Sequence, residues 1–163
     1  MSHRLRIHFL RHGLADRSEY EGDDDDLRPL TDRGRERMAQ EAAAMAELDL
    51  RLDVVITSPL LRARQTAEIV AGHLGLDDRL HVDRGLGPEF SVPELARLLA
   101  RHPDCERFLL VGHEPGFSEV IGEITGGSRV VVKKGGLARV DLEDRGEPSG
   151  ELVWLLPPGL LAG

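Results

Sequence analysis

At 163 residues, with 40% hydrophobic residues and a formal net charge of −8, the chain has the size of one ordinary domain with a buried core, so a single domain over residues 1–163 is expected. The acidic balance excludes a broad nucleic-acid footprint, which needs a positive face for counterion release, and an aromatic content of 4% leaves little for stacking on bases. The lone Cys105 excludes an intrachain disulfide, no run is long enough to cross a membrane, and the N-terminal apolar run is too brief for a secretory signal. A cytoplasmic protein without a membrane partner is the expectation.

Leu5 to Leu10 is a short apolar run with aromatic and β-branched members, which reads as a buried strand ending at Arg11-His12-Gly13. Residues 14–30 carry Gly22, Pro29 and the acidic run Asp23 to Asp26, the composition of a loop. Consecutive carboxylates lack the alternating spacing and turn glycine of a calcium loop, so the run reads as a solvated acidic segment. Thr31 can cap a helix whose Met38, Ala42 and Met45 share one face. Asp53 to Thr57 is a second strand, ended by Ser58-Pro59 before a helix with Ala63, Ala67, Val70 and Leu74 at helical spacing.

Leu80 to Val82 is a further short strand, followed by the loop Gly85 to Phe90. Ser91 and Glu94 have capping-box spacing, and Leu95, Leu98 and Leu99 supply the buried face of a third helix. Phe108 to Val111 is nearly continuous in apolar character, as a strand covered on both faces should be, and it stops at Gly112-His113-Glu114-Pro115. Pro115 suits the first turn of a fourth helix carrying Phe117, Val120, Ile121 and Ile124, closed by Gly126-Gly127. Beyond it, Val130 to Val132, Ala138 to Leu142 and Leu152 to Leu156 read as strands or edges, with Gly146 to Gly150 a hairpin loop.

Strands alternating with helices imply βαβ units with right-handed crossovers, which gather the carboxyl ends of parallel strands at one edge of the sheet. The expected architecture is a three-layer α/β/α sandwich with a mainly parallel mixed sheet. Ligands bind at that edge in open α/β sheets. It receives Arg11-His12-Gly13, Ser58 to Arg62 and Gly112-His113, a constellation suited to phosphoryl transfer. Arg11 and Arg62 would clamp phosphate oxygens through planar, charge-assisted pairs, with Gly13 and Ser58 as candidate substrate-binding positions. Arg64, off the Arg62 face, is expected to point to solvent. His12 beside cations is pushed toward the neutral form and can attack phosphorus, and His113 would donate to phosphoryl oxygens as imidazolium. No His/Cys/Asp cluster has ligand spacing, so no metal or other cofactor is expected. Cysteine-phosphatase chemistry is excluded, because the sixth position after Cys105 is Val111 and not arginine.

Three stretches resemble the motifs of the histidine phosphatase superfamily, the phosphoglycerate-mutase-like family: Leu10 to Gly13, Ser58 to Ala67, and Val111 to Pro115. Arg28-Pro29-Leu30-Thr31 with Gly34 is similar to the branch typified by the SixA phosphohistidine phosphatases. The resemblance implies a phosphoglycerate-mutase-like fold, a transiently phosphorylated His12, and a phosphate held by Arg11, Arg62 and His113, with Arg28 as a further contact. It implies no metal. Leu14 departs from the pattern, since that position is commonly polar or acidic in this branch. Glu89, in the loop where many members carry their acid, is the candidate proton donor.

A phosphoimidazole protonated on its other nitrogen leaves as neutral imidazole, whereas an alkyl ester must expel an alkoxide. Weak acid machinery and a short loop over residues 83–91 both favour an exposed, protein-borne phosphohistidine as substrate. The leading expectation is a metal-independent phosphatase acting on phosphohistidine in proteins. The alternatives are a small-molecule phosphomonoesterase and a non-catalytic phosphate-recognising regulatory module, the latter having no need of an intact nucleophile.

Overall fold

The apolar runs fold as strands because each side chain on either face meets a covering helix. In the computed structural model, which describes residues 4–162, β1 (Leu5–Arg11), β2 (Val54–Thr57), β3 (Leu80–Val82), β4 (Arg107–Gly112), β5 (Leu137–Asp144) and β6 (Ser149–Leu156) form one six-stranded sheet. Its order is β3-β2-β4-β1-β5-β6; the first four strands are parallel and the last two antiparallel.

Alternation along β1 and β4 divides the core. Ile7, Phe9, Phe108 and Leu110 point to one face and pack with Leu95, Leu98, Phe117 and Ile121 of α3 (Val92–Arg101) and α4 (Gly116–Ile124). Leu10, Leu109 and Val111 point to the other, against Met38, Met45, Ala67 and Val70 of α1 (Asp32–Glu47) and α2 (Leu61–Leu74). The expected three-layer α/β/α arrangement follows.

Local signals act as read. The Thr31 hydroxyl accepts from Gly34 N–H at 2.9 Å to cap α1, and Ser91 accepts from Glu94 N–H at 3.4 Å to start α3. Asp53 precedes β2, and its carboxylate accepts from Glu106 and Arg107 N–H at 2.9 Å each, anchoring the start of β4.

One reading needs correction and one element was not read. Val130 to Val132 is not a strand: both edges of β1 are already paired, with β4 and β5, and the segment runs on to a turn at Gly135 with φ +80°. The chain also turns after β6 into a short helix, α5 (Pro158–Leu161), which buries Leu161 against the α1 side of the core.

The buried ionisable groups set how stability depends on pH. His8, His12 and His113 are lowered from 6.5 to about 4, 3 and 4, mainly by burial, so below pH 6.5 the unfolded chain takes up protons that the folded chain refuses. Glu41 is the reverse case: burial under Gly135 pushes it from 4.5 up to about 8, so above pH 4.5 the unfolded chain releases a proton that the folded chain keeps. Histidine losses outweigh Glu41 below pH 6.5, and Glu41 acts alone from there to about 8. Denaturant unfolding should therefore show maximal stability near pH 6.5, with limbs of about 1.4 kcal/mol per pH unit per proton. Glu41→Gln should flatten the alkaline limb and leave the acid limb; an unchanged alkaline slope would contradict the assignment to Glu41.

Candidate active site

The register of β1 on β4 decides which side chains meet. Arg11 lies opposite Gly112, and the next residue of β1 continues the ladder, with His12 N–H donating to Gly112 O at 3.0 Å. His12 and His113 therefore emerge side by side, their ring centroids 5.2 Å apart. Gly112 is required here because a Cβ would lie 2.7 Å from the Phe117 ring. The same step recurs along the edge: Ser58 N–H donates to Val111 O at 3.0 Å and Asp83 N–H to Thr57 O at 2.9 Å.

His12 is 5% exposed and His113 5%, so each ring is reached from one side only. His12 Nδ1 lies 2.8 Å from the carbonyl oxygen of Gly13. A carbonyl can only accept, so Nδ1 carries the proton and the lone pair resides on Nε2. Burial is the first cause holding His12 at about 3, with repulsion from His113, Arg62 and Arg11 adding to it and the Gly13 bond opposing. The neutral state expected beside a cationic clamp is present, but desolvation leads and the arginines follow.

His113 differs from its expected imidazolium. Burial, then Arg62 and Arg11, lower it to about 4, so it is neutral at pH 7 in the unliganded protein. Its Nε2 lies 2.7 Å from Ser58 Oγ, and its buried Nδ1 has no partner among the described residues.

The arginines are held by backbone carbonyls and one carboxylate. Arg11 donates through Nη1 to Val132 O at 3.1 Å and forms no ion pair among the described residues. The non-strand segment 130–132 thus supplies the acceptor that aims it. Arg62, on the first turn of α2, donates through Nη1 to Asp25 O at 2.9 Å, with Nη2 3.5 Å from Asp25 Oδ2. Arg28 donates through Nε to Asp25 Oδ1 at 2.9 Å and through Nη1 to Ala15 O. The Nε atoms of Arg11 and Arg62 are buried without a partner among the described residues. Arg62, Arg11 and Arg28 each lie close enough to lower His113, and Arg28 also lowers Arg62.

Three contacts at the site had no site role assigned from the sequence. Asp25 belongs to the acidic run read as solvated, where three like neighbours disguise the one that pairs with arginine. Thr66 is buried; its hydroxyl accepts from Gly13 N–H at 3.1 Å and donates to Arg62 O at 2.8 Å, joining the turn after His12 to the first turn of α2. Gln65 accepts from Leu30 N–H at 2.8 Å and ties down the loop that carries Arg28. The helical spacing of Arg62, Gln65 and Thr66 places them on adjoining faces of one turn, which is the signal that could have found the last two.

Gly13 closely approaches α1, since a Cβ there would lie 2.6 Å from Met38 Cγ. Arg64 is exposed and lies 3.8 Å from Glu68, as its solvent-facing reading expects. Glu89 sits on an exposed loop and lines a cleft of about 520 Å³ with Asp83, Arg84, Glu94, Arg97 and Arg101; His12, Arg11, Arg62 and His113 are not among the residues lining it. Leu14 presents no acid, and its carbonyl is used by Thr31 N–H at 3.0 Å. Among the described residues no group of three His, Cys, Asp or Glu side chains is gathered as for a metal ion. No helix there is long and apolar enough to cross a membrane.

Known proteins resemble the chain in sequence and in fold. An uncharacterized protein of Picosynechococcus sp. is 41% identical over 119 residues, covering 71% of this chain and 70% of that protein. The mitochondrial serine/threonine-protein phosphatase Pgam5 of Drosophila persimilis is 36% identical over 74 residues, which is 44% of this chain but 24% of the relative. The structure of the protein histidine phosphatase SixA complexed with tungstate superposes with a TM-score of 0.85 at 26% identity, over 96% of this chain and 99% of that one. The sequence profile of the histidine phosphatase superfamily (branch 1) matches residues 7–89, and the chain belongs to that family as a phosphatase of its histidine type.

Proposed function

We propose that this phosphatase removes phosphoryl groups from phosphohistidine side chains of proteins through a covalent intermediate on His12. The observation that carries the reading is the hydrogen bond from His12 Nδ1 to its neighbour's carbonyl at 2.8 Å, which leaves an unprotonated Nε2 at a cationic strand edge.

In the first step the Nε2 lone pair forms an N–P bond as the bond from phosphorus to the leaving group breaks. Arg11 and Arg62 hold the equatorial oxygens and stabilise charge that develops on them, with Arg28 and Ser58 beside them. Guanidinium groups supply the charge that a metal ion supplies in other phosphoryl-transfer sites, without a metal. His113, neutral before substrate arrives, gains affinity for a proton when a phosphate dianion sits against it and then donates to a phosphoryl oxygen. In the second step water attacks phosphorus, an O–P bond forms, the N–P bond breaks, and inorganic phosphate leaves with the Nε2 lone pair restored.

The substrate class rests on the leaving group. An alkoxide needs a proton from a nearby acid. Leu14 carries none, and Asp25 is held below the usual carboxylate range, first by its hydrogen bond from Arg28, so it is ionised at neutral pH. The imidazole of phosphohistidine brings its own proton on the second ring nitrogen and departs neutral. Similarity to the protein histidine phosphatase SixA over nearly the whole chain supports the same reading. Phosphoproteins of the cytoplasm are the substrates this reading names.

His12→Ala should lower kcat by about three orders of magnitude or more, the scale seen when a nucleophile is removed; activity near wild type would refute the mechanism. Rapid acid and alkali quench with labelled substrate should trap an acid-labile, alkali-stable phosphoenzyme mapped to His12, and label on Ser58 or none at all would count against it. In a direct comparison, kcat/KM should be at least about tenfold higher for a phosphohistidine peptide than for alkyl phosphate monoesters. A higher value for an ester would overturn the substrate class and leave the nucleophile standing.

A further inference from the structure

Resting on the phosphate-site reading above, we propose that Asp25 is an internal competitor for phosphate, whose carboxylate engages Arg28 Nε and faces Arg62 Nη2, donors that an oxyanion would take, and so keeps the affinity for free phosphate low. Among the described residues it is the only acidic side chain ion-paired with Arg11, Arg28 or Arg62. One oxygen accepts from Arg28 Nε at 2.9 Å, the other lies 3.5 Å from Arg62 Nη2, and the Asp25 carbonyl accepts from Arg62 Nη1 at 2.9 Å.

Donor geometry makes this competition and not mere neighbourhood. A guanidinium grips phosphate through two adjacent N–H groups. On Arg62, Nη1 donates to the Asp25 main-chain carbonyl, Nη2 faces the Asp25 carboxylate, and Nε is buried without a partner among the described residues. A phosphoryl group that pairs Nε with Nη2 must therefore share Nη2 with the carboxylate or displace it. Displacement is feasible, because the Asp25 side chain is 40% exposed at the start of a surface 3₁₀ turn, and its contact to Arg62 Nη2 is long. A displaced carboxylate stays nearby and repels the dianion.

The effect on turnover follows. A substrate brings binding energy from the protein that carries its phosphoryl group, and can outweigh the repulsion. Product phosphate has only its charge to offer, so it is the species the carboxylate expels most effectively.

Calorimetric titration of the whole chain with inorganic phosphate tests the proposal apart from activity. Asp25→Asn, which keeps the acceptor for Arg28 and removes the charge, should bind phosphate about tenfold more tightly at low ionic strength, with the gap narrowing as salt rises. Asp25→Glu should bind like wild type, and so should Asp23→Asn, which removes the same charge from a residue outside ion-pair distance of any described cation. Unchanged or weaker binding by Asp25→Asn overturns the proposal, the weaker case making Asp25 a support for the arginines. Equal tightening by Asp23→Asn also overturns it, since the effect would then be one of net charge. Failure of both the wild-type protein and Asp25→Asn to bind phosphate at millimolar concentration refutes the phosphate site and this inference together, whereas wild-type binding without the Asp25 effect refutes this inference alone.

Discussion

The parallel pairing of β1 with β4, in the register that sets Arg11 against Gly112, is the constraint on which the site depends. A slip of one residue would turn His12 or His113 to the opposite face and separate the rings. Several features secure the register. Phe9 and Phe108 must share one face of the core and Leu10 and Val111 the other, and His12 N–H extends the ladder one bond beyond the strand. Catalytic geometry here is a by-product of hydrophobic sorting: the side chains that choose the register lie below the edge, and the residues at the edge inherit it.

Burial then does what sequence proximity to cations could do only weakly. Two histidines are held neutral at the edge of a chain whose net charge is −8, with three arginines around them and a single carboxylate pairing with two of the three. Desolvation keeps the proton off both rings well below neutral pH, and the same desolvation destabilises the fold on acidification. Neutral rings and acid sensitivity share one cause.

Much of the fold could be read because its signals are local. Apolar runs, the Thr31 and Ser91 caps and the Gly126-Gly127 stop each act within a few residues, and the β–α alternation then leaves few topologies. The failures arise where long-range context decides. Val130 to Val132 has strand composition but finds both sides of β1 taken, and α5 has no signal beyond a proline pair. At the site, Arg11, His12, Arg62 and His113 were identifiable from residue type and strand-end position, and the fold brings them together. Asp25 was hidden among identical neighbours, and Thr66 looks like any helical threonine until the fold sets it against Gly13. Glu89, chosen by its position along the chain, lines a cleft with Asp83, Arg84 and Glu94.

The Thr66 hydroxyl gives the site a mechanical property. Because one oxygen links the Gly13 amide to the Arg62 carbonyl, the turn after the nucleophile and the first turn of α2 are fastened at a single pivot. Any translation of α2 against the sheet therefore pulls on the turn after His12 through the same oxygen that holds Arg62 to the helix, so the two strand-edge groups are tied to one another more directly than the chain's connectivity alone would tie them.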